Sequence, residues 1–292
     1  MDLNPSPEQQ QLVDTFSALY AKEATPARVR AAEHAGHDPE LWERLVATGV
    51  LAMAVGEGSG GWGATLLDLA LVAEQHGRHL GPAPLLEAQV AARLLERAGT
   101  APATALLERV LAGDELVTVA LHGSDRGVLR LVPAGAVASR VLAVVDGRLL
   151  SVDAAGGAPV TNIGSLPLAD VPVAGAHELA GGDAAVAAHQ VALDEWAALM
   201  ANAVTGLAAR ALEMGVAYAK ERHAFGVPIG SFQAVAHGLA DAATAVDGST
   251  LLAREAAWAA GEEPGRAREL AALAFGFATE TARQSALRSL HY

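Results

Sequence analysis

Between positions 218 and 241 the chain reads YAKERHAFGVPIGSFQAVAHGLAD, and this stretch holds the residue types best suited to gripping an anion. A basic residue at the end of a helical pattern, Arg222, precedes an aromatic, Phe225, and a Gly-Val-Pro turn; Ser231-Phe232-Gln233 then opens a new helical pattern. That order can set Arg222 and Gln233 at the same end of a helix pair, where a guanidinium fork and an amide hold a phosphate or a nucleotide. A plainer use of the same residues stays open: Arg222 complements the negative end of its helix and Phe225 packs the bend.

The remaining candidates are weaker. His34-x-x-His37 and His76-x-x-His79 lack a carboxylate partner in the H-x-x-x-H arrangement that suits zinc, so exposed helix or loop histidines are expected. The segment 56–63 carries Gly56, Gly58, Gly60, Gly61 and Gly63, but it lacks the Lys-Ser/Thr ending of a phosphate loop and follows no convincing strand. Its reading is a connection between helices near a substrate entrance. With no cysteine, disulfides, thiolate metal sites and cysteine nucleophiles are excluded, which is compatible with a reducing cytosol.

The elements that must position these groups follow from composition and periodicity. The 292 residues include 20 Lys plus Arg against 33 Asp plus Glu, a formal charge of −13 with no basic block, which argues against nucleic-acid binding. Apolar residues make up 52%, enough to bury a large core, and the length suits one large domain or two to three smaller ones. The opening MDLNPSPEQQQ is polar and acidic, unlike a secretory signal, and apolar runs such as 141–145 fall far short of the ~20 residues that span a bilayer. A cytoplasmic protein is expected.

Helical spacing is expected over 7–22 behind Ser6-Pro7, over 39–48 behind Asp38-Pro39, and over 65–78, 85–98 and 102–111. From 117 to 173 the texture changes to β-branched runs punctuated by Gly, Pro and Asp. Asp146-Gly147 predicts a two-residue hairpin turn, and Pro172 predicts a sheet edge. Three long helical patterns follow: one from 183 to about 222 stopped by Gly226 and Pro228, one from about 232 to 261, and one from 267 to 290. The expected fold is mainly α with a small β domain, divided into an N-terminal helical domain (1–113), a reduced central β domain (114–182) and a C-terminal helical bundle (183–292).

The stretch around Arg222 resembles the acyl-CoA dehydrogenase family, whose pattern R-x-x-F-G-x-P-I-x-x-F-Q-x-x-x-H-x-x-A-D is matched by Arg222, Phe225, Gly226, Pro228, Ile229, Phe232, Gln233, His237, Ala240 and Asp241. The helix, β, helix order is similar to that family's plan, as are the early Pro-Ser-Pro-Glu-Gln-Gln segment, the Gly60-Gly61-Trp62-Gly63 loop and the 74–78 helix end. The resemblance covers nearly the whole chain and is weak from 116 to 182. It implies that Arg222, Phe225 and Gln233 reach across a dimer interface to the pyrophosphate and adenosine side of an FAD held mainly by the neighbouring subunit. It implies a packing or interface role for His237.

Departures from the family pattern carry as much information. Where the family covers its flavin with Thr-Glu-Pro-x-x-Gly-Ser-Asp, this chain keeps Thr118 and Gly123-Ser124-Asp125 but has Val119 and Ala120 in place of Glu-Pro. The family's flavin-side Trp in the β domain has no counterpart, since the tryptophans are Trp42, Trp62, Trp196 and Trp258. A family catalytic Glu would stand beyond the third long bundle helix or on the first; the sequence ends at His291-Tyr292, and Trp196 aligns with the second location. Asp194 keeps the family's Asp, Ala197 removes its Arg, and Glu195 lies about 100° away on the helix, so Glu195 is expected to be a surface carboxylate or, as the rival reading, the base. The resemblance therefore implies the partner subunit of an α2β2 heterotetramer that oxidises acyl-CoA thioesters, such as steroid side-chain esters, and passes electrons to an acceptor protein. The rivals are a homotetrameric short-substrate dehydrogenase and a non-redox scaffold or regulatory subunit of the same fold.

Overall fold

A computed structural model describes residues 3–292. Six helices come first: α1 (Pro7–Glu23), α2 (Pro26–Ala32), α3 (Pro39–Ala47), α4 (Leu66–Arg78), α5 (Leu85–Ala98) and α6 (Ala101–Ala112). The strands β1 (Val117–Val119), β2 (Val128–Val132), β3 (Arg140–Val145), β4 (Arg148–Asp153), β5 (Ala158–Pro159), β6 (Ala169–Pro172) and β7 (His177–Gly181) follow. Then come α7 (Asp183–Glu221), a short hairpin of β8 (His223–Ala224) and β9 (Val227–Pro228), α8 (Gln233–Glu262) and α9 (Pro264–His291). The expected helix, β, helix order is what the chain adopts.

Several starts follow directly from local chemistry. The Asp38 side chain accepts from the amides of Glu40 and Leu41, and Pro39 occupies the first position of α3 where its missing N–H is no loss. Thr65 and Asp68 form a reciprocal capping box at the start of α4. Asp146 and Gly147 both take positive φ, 50° and 74°, so β3 and β4 pair tightly through Val145 and Arg148 as the Asp-Gly pair predicts.

One compact unit comprises Glu23–Ala64 and Pro82–Trp196. It holds a four-stranded sheet ordered β1-β3-β4-β7, parallel only between β1 and β3, and a three-stranded sheet ordered β2-β6-β5. Leu129, Val132 and Val171 from one sheet and Val141, Ala143 and Val152 from the other form a common buried core. The expectation that Pro172 marks an edge strand is corrected: β6 is the central strand. Pro172 is tolerated because it ends β6 beyond the two residues that pair with β5, so no neighbour there needs its N–H.

A second compact unit comprises residues 3–22, Thr65–Gly81 and Ala197–Tyr292. Here the long C-terminal helices pack through small residues: a Cβ at Gly206 of α7 would lie 2.0 Å from the Glu74 carbonyl oxygen of α4, and one at Gly77 would lie 1.8 Å from that of Ala203. The backbones of α4 and α7 therefore touch where only glycine fits. Tyr20 of α1 is fully buried and its hydroxyl meets His76 Nδ1 at 2.9 Å, while the His79 ring stacks on Tyr20 with centroids 5.9 Å apart. His76 and His79 are thus packing groups, not the exposed histidines expected. Burial, reinforced by the neighbouring His79, pushes His76 down to about 4, and burial pushes the Tyr20 phenol up.

Candidate functional site

Where α7 ends, the backbone of Arg222 is still tied to the helix: its N–H donates to the Tyr218 carbonyl at 2.8 Å, and its own carbonyl accepts from Ile229 N–H at 2.7 Å. Between those two bonds β8 and β9 pair His223 with Pro228 and Ala224 with Val227. Phe225 and Gly226 form the tip, both with positive φ, 53° and 82°. For a phenylalanine that conformation is strained, and the ring gains no burial from it: Phe225 is 97% exposed. Phe225 therefore does not pack the bend; its ring meets Phe232 edge-on at 6.2 Å.

Phe232 caps α8 without a side-chain hydrogen bond, and Gln233 is the helix's first residue. Arg222 and Gln233 are both exposed. Among the described residues neither the Arg222 guanidinium nor the Gln233 amide has a hydrogen-bonding or ionic partner within the chain. One short hairpin thus turns a planar cation and an amide at a helix start outward without partners, beside an exposed aromatic ring. That donor set suits an anionic group next to a ring system, as in a dinucleotide. His237, one turn further along α8, is also exposed.

The segment expected to face a flavin from within the chain is arranged in the opposite way. Thr118, in the middle of β1, is fully buried and its hydroxyl donates to the Pro133 carbonyl at 2.7 Å. The Ala120 N–H donates to Leu142 at 2.8 Å, and the Ala120 backbone also hydrogen-bonds the His189 ring. Asp125 closes a tight bridge with Val128. The Thr118 hydroxyl and the Asp125 backbone thus serve the chain's own backbone.

Glu195 corrects the sequence reading most clearly. It is 3% exposed, not a surface carboxylate, and its Oε1 accepts from Arg93 Nε at 3.0 Å and Arg93 NH2 at 2.8 Å, with Arg97 as a further ion-pair partner. Its Oε2 is buried with no hydrogen-bond partner. Glu195 is thus engaged by two guanidinium groups of its own chain. Asp194 accepts from Gln190 at 3.0 Å. Burial pushes the Glu87 carboxyl of α5 up, opposed by a backbone hydrogen bond and by the Trp196 indole. Arg93, Arg97, Glu87 and His189 were not singled out by sequence reasoning. Two arginines at i and i+4 on the helix that carries Leu94 and Leu95 were the available signal.

Two family models match the chain, the acyl-CoA dehydrogenase N-terminal domain over residues 6–114 and the acyl-CoA dehydrogenase C-terminal domain over 185–291. The chain belongs to the acyl-CoA dehydrogenase family. These are oxidoreductases, and the helical domains flanking a small β region are the family fold. Acyl-CoA dehydrogenase IpdE2 of Mycolicibacterium smegmatis is 35% identical over 239 residues, covering 81% of this chain and 72% of that relative. The ChsE4-ChsE5 complex of Mycobacterium tuberculosis is similar in structure with a TM-score of 0.87 at 28% identity, over 100% of this chain and 87% of that one. A variant of the Tcur3481-Tcur3483 steroid ACAD gives a TM-score of 0.86 at 29% identity, over 97% and 86%. Among the described residues no helix is long and apolar enough to cross a membrane, and no group of three or more acidic or histidine side chains is placed to hold a metal ion.

Proposed function

We propose that this acyl-CoA dehydrogenase chain is the partner subunit of a heteromeric, α2β2-type enzyme that dehydrogenates an acyl-CoA thioester between Cα and Cβ. One observation carries the reading: Arg222, Phe225 and Gln233 are exposed, the Arg222 guanidinium and Gln233 amide without partners among the described residues, whereas Thr118 and its neighbours are buried and hydrogen-bonded internally. Arg222 and Gln233 would hold the pyrophosphate and adenosine side of an FAD seated mainly on the other chain, with Phe225 against it. When bound, that flavin supplies the hydride acceptor for the reaction. This chain's contribution is to bind and orient the cofactor from outside.

The base that takes the α-proton comes from the other chain in this reading. Support lies in Glu195, engaged by Arg93 and Arg97, and in Trp196, which stands where a family member of the alternative type has its Glu. The similarity to a steroid ACAD favours a CoA ester of a steroid side chain as substrate. Electrons leave to a separate acceptor protein, and the enzyme works in the cytoplasm. The division into 1–113, 114–182 and 183–292 is supported by the two matched family models, which leave the β segment uncovered.

Co-expression with an acyl-CoA dehydrogenase-like partner chain from the same source, followed by sizing and flavin counting, tests this. The expected product is a yellow complex of both chains, with the present chain alone flavin-free or poorly soluble. A stable yellow oligomer of this chain by itself replaces the proposal with the homotetrameric reading. A complex that stays colourless with added FAD replaces it with a scaffold.

A further inference from the structure

The outer face of α9 carries apolar groups that its own chain leaves uncovered. The inner face is buried through Leu270, Ala271, Ala274, Ala278, Ala282 and Ser285. Between them, at helical spacing, Leu273, Gly276, Phe277, Glu280, Leu287 and Leu290 are all exposed. The leucines and the phenylalanine of this row are 43% to 84% exposed. The row extends over about 26 Å of helix, and Leu273, Glu280 and Leu287 recur every seven residues, the period of a helix-pairing seam. Apolar groups lined up in this way mark a surface that meets another molecule.

Gly276 supplies an independent observation. It stands inside a 28-residue helix, where glycine is a poorer helix former than alanine. Among the described residues, a Cβ at Gly276 would meet nothing within 4 Å beyond the helix itself, so no contact inside the chain requires its absence. Gly77 and Gly206 in the same unit differ, since each lies against a carbonyl of a neighbouring helix. A missing side chain on an outer face lets a second helix come close.

The row is also its own complement. Glu280 is its midpoint, with Leu273 and Leu287 seven residues to either side. Turned end for end about a two-fold axis at Glu280, a second α9 sets its Leu287 against Leu273, its Arg283 over the hollow at Gly276 and its Gln284 beside Phe277. Glu280 already holds Arg283 at 2.6 and 2.8 Å and Gln284 at 2.7 Å, so two such ion pairs meet at the axis with their charges able to alternate. Sliding one copy by a turn puts a leucine over Glu280 instead. A partner of different sequence requires no such symmetry, whereas closed pairing of identical chains does. We propose that two copies of this chain pair antiparallel through α9, with Glu280 of each at the two-fold axis. The pairing goes beyond the α2β2 reading above and needs only a second copy of this chain.

The chain contains no cysteine, which permits a direct test in the co-expressed complex. Glu280→Cys is expected to give a covalent dimer of this chain with a short bis-maleimide. Leu273→Cys alone should not, because its two copies would lie about 21 Å apart along the helices. Co-expressed with Leu287→Cys chains, it should. Gly276→Gln, added to Glu280→Cys, should lower the dimer yield by roughly fivefold or more while thermal unfolding stays unchanged or rises, since the space above it is open and glutamine is the better helix former. No dimer from Glu280→Cys, a dimer from Leu273→Cys alone, or an undiminished yield with Gly276→Gln overturns the inference. Cross-linking of Glu280→Cys to the other chain of the complex also overturns it, giving this face to that chain and leaving the heteromeric reading intact. A yellow oligomer of this chain alone that still cross-links at Glu280→Cys overturns the heteromeric reading and supports the α9 pairing.

Discussion

The hairpin at 222–233 and the strand segment at 118–125 both retain parts of an acyl-CoA dehydrogenase motif, yet they use them in opposite ways. In the hairpin the guanidinium and the amide have no partner among the described residues, and the exposed Phe225 ring has only an edge contact with Phe232. In the strand segment the Thr118 hydroxyl closes a bond to Pro133 in the core. A group engaged at home contributes to folding, and removing it leaves a buried partner unsatisfied. An unengaged exposed group contributes little to folding and is available to another molecule. Motif letters alone do not separate these cases; hydrogen-bond partners do.

The largest effect expected of an engaged group is at the Tyr20–His76 pair. His76 is held near 4 in the folded chain against an ordinary value near 6.5, chiefly by burial and then by His79. Between those values the unfolded chain binds a proton that the folded chain does not. Stability is therefore complete above pH ~6.5 and falls as pH drops toward 4, by up to roughly 3 kcal/mol. Denaturant titrations of wild type and His76→Gln from pH 7.5 to 4 should show a slope that the variant lacks. Parallel curves would mean that His76 is not the group being protonated.

Arg222 tests the other side of the comparison. If its guanidinium meets the FAD pyrophosphate of the complex, Arg222→Ala removes a charge-assisted contact of about 1.5 to 3 kcal/mol, or about tenfold to a hundredfold in FAD affinity. Lys should restore only part of it, lacking the planar fork. A helix-end interaction alone is worth only about 0.3 to 1 kcal/mol and would show in thermal stability, with and without flavin. Equal FAD affinities for wild type and Arg222→Ala would remove this residue from the cofactor site.

Thr118→Val separates the two regions directly. The Pro133 carbonyl loses its buried donor, at a cost of about 1 to 3 kcal/mol in folding stability. FAD affinity of the complex should stay within about twofold of wild type. A loss of flavin binding with little change in unfolding would place Thr118 at the cofactor after all.

Much of the architecture was legible because it rests on local chemistry. Asp38-Pro39, Thr65 with Asp68, and Asp146-Gly147 each dictate their own backbone, and each forms as its residue types require. The spacing of Arg222, Phe225 and Gln233 marks out one exposed hairpin and helix start, while their role toward a cofactor is a proposal. Glu195 was not legible, because helix phase gives a direction and says nothing of what stands there; Arg93 and Arg97 approach it from 102 and 98 residues away in sequence. Pro172 misled for a related reason: a short neighbour such as β5 leaves part of a central strand without a partner. The histidines 76 and 79 misled because Tyr20, 56 residues before His76, supplies the packing that no short motif contains.

The smallest effect, and the finest discrimination, belongs to Phe225. Its positive φ of 53° costs a non-glycine residue about 1 to 2 kcal/mol, which glycine would relieve. Glycine also widens the unfolded ensemble by about 0.4 to 1 kcal/mol, and loss of the edge contact with Phe232 removes at most about 1 kcal/mol. These terms nearly cancel, so Phe225→Gly should unfold within about 1 kcal/mol of wild type. No burial is lost, because the ring is 97% exposed. If a strained aromatic persists at the hairpin tip because it meets the partner subunit or its flavin, the same variant should assemble or retain FAD several-fold less well. Sedimentation of the complex and FAD titration read that change, and chemical unfolding of the single chain reads the other. A variant that unfolds by more than about 2 kcal/mol earlier yet assembles normally would return Phe225 to the role of packing the bend, and would erase the contrast between the hairpin and the strand segment at its most exposed point.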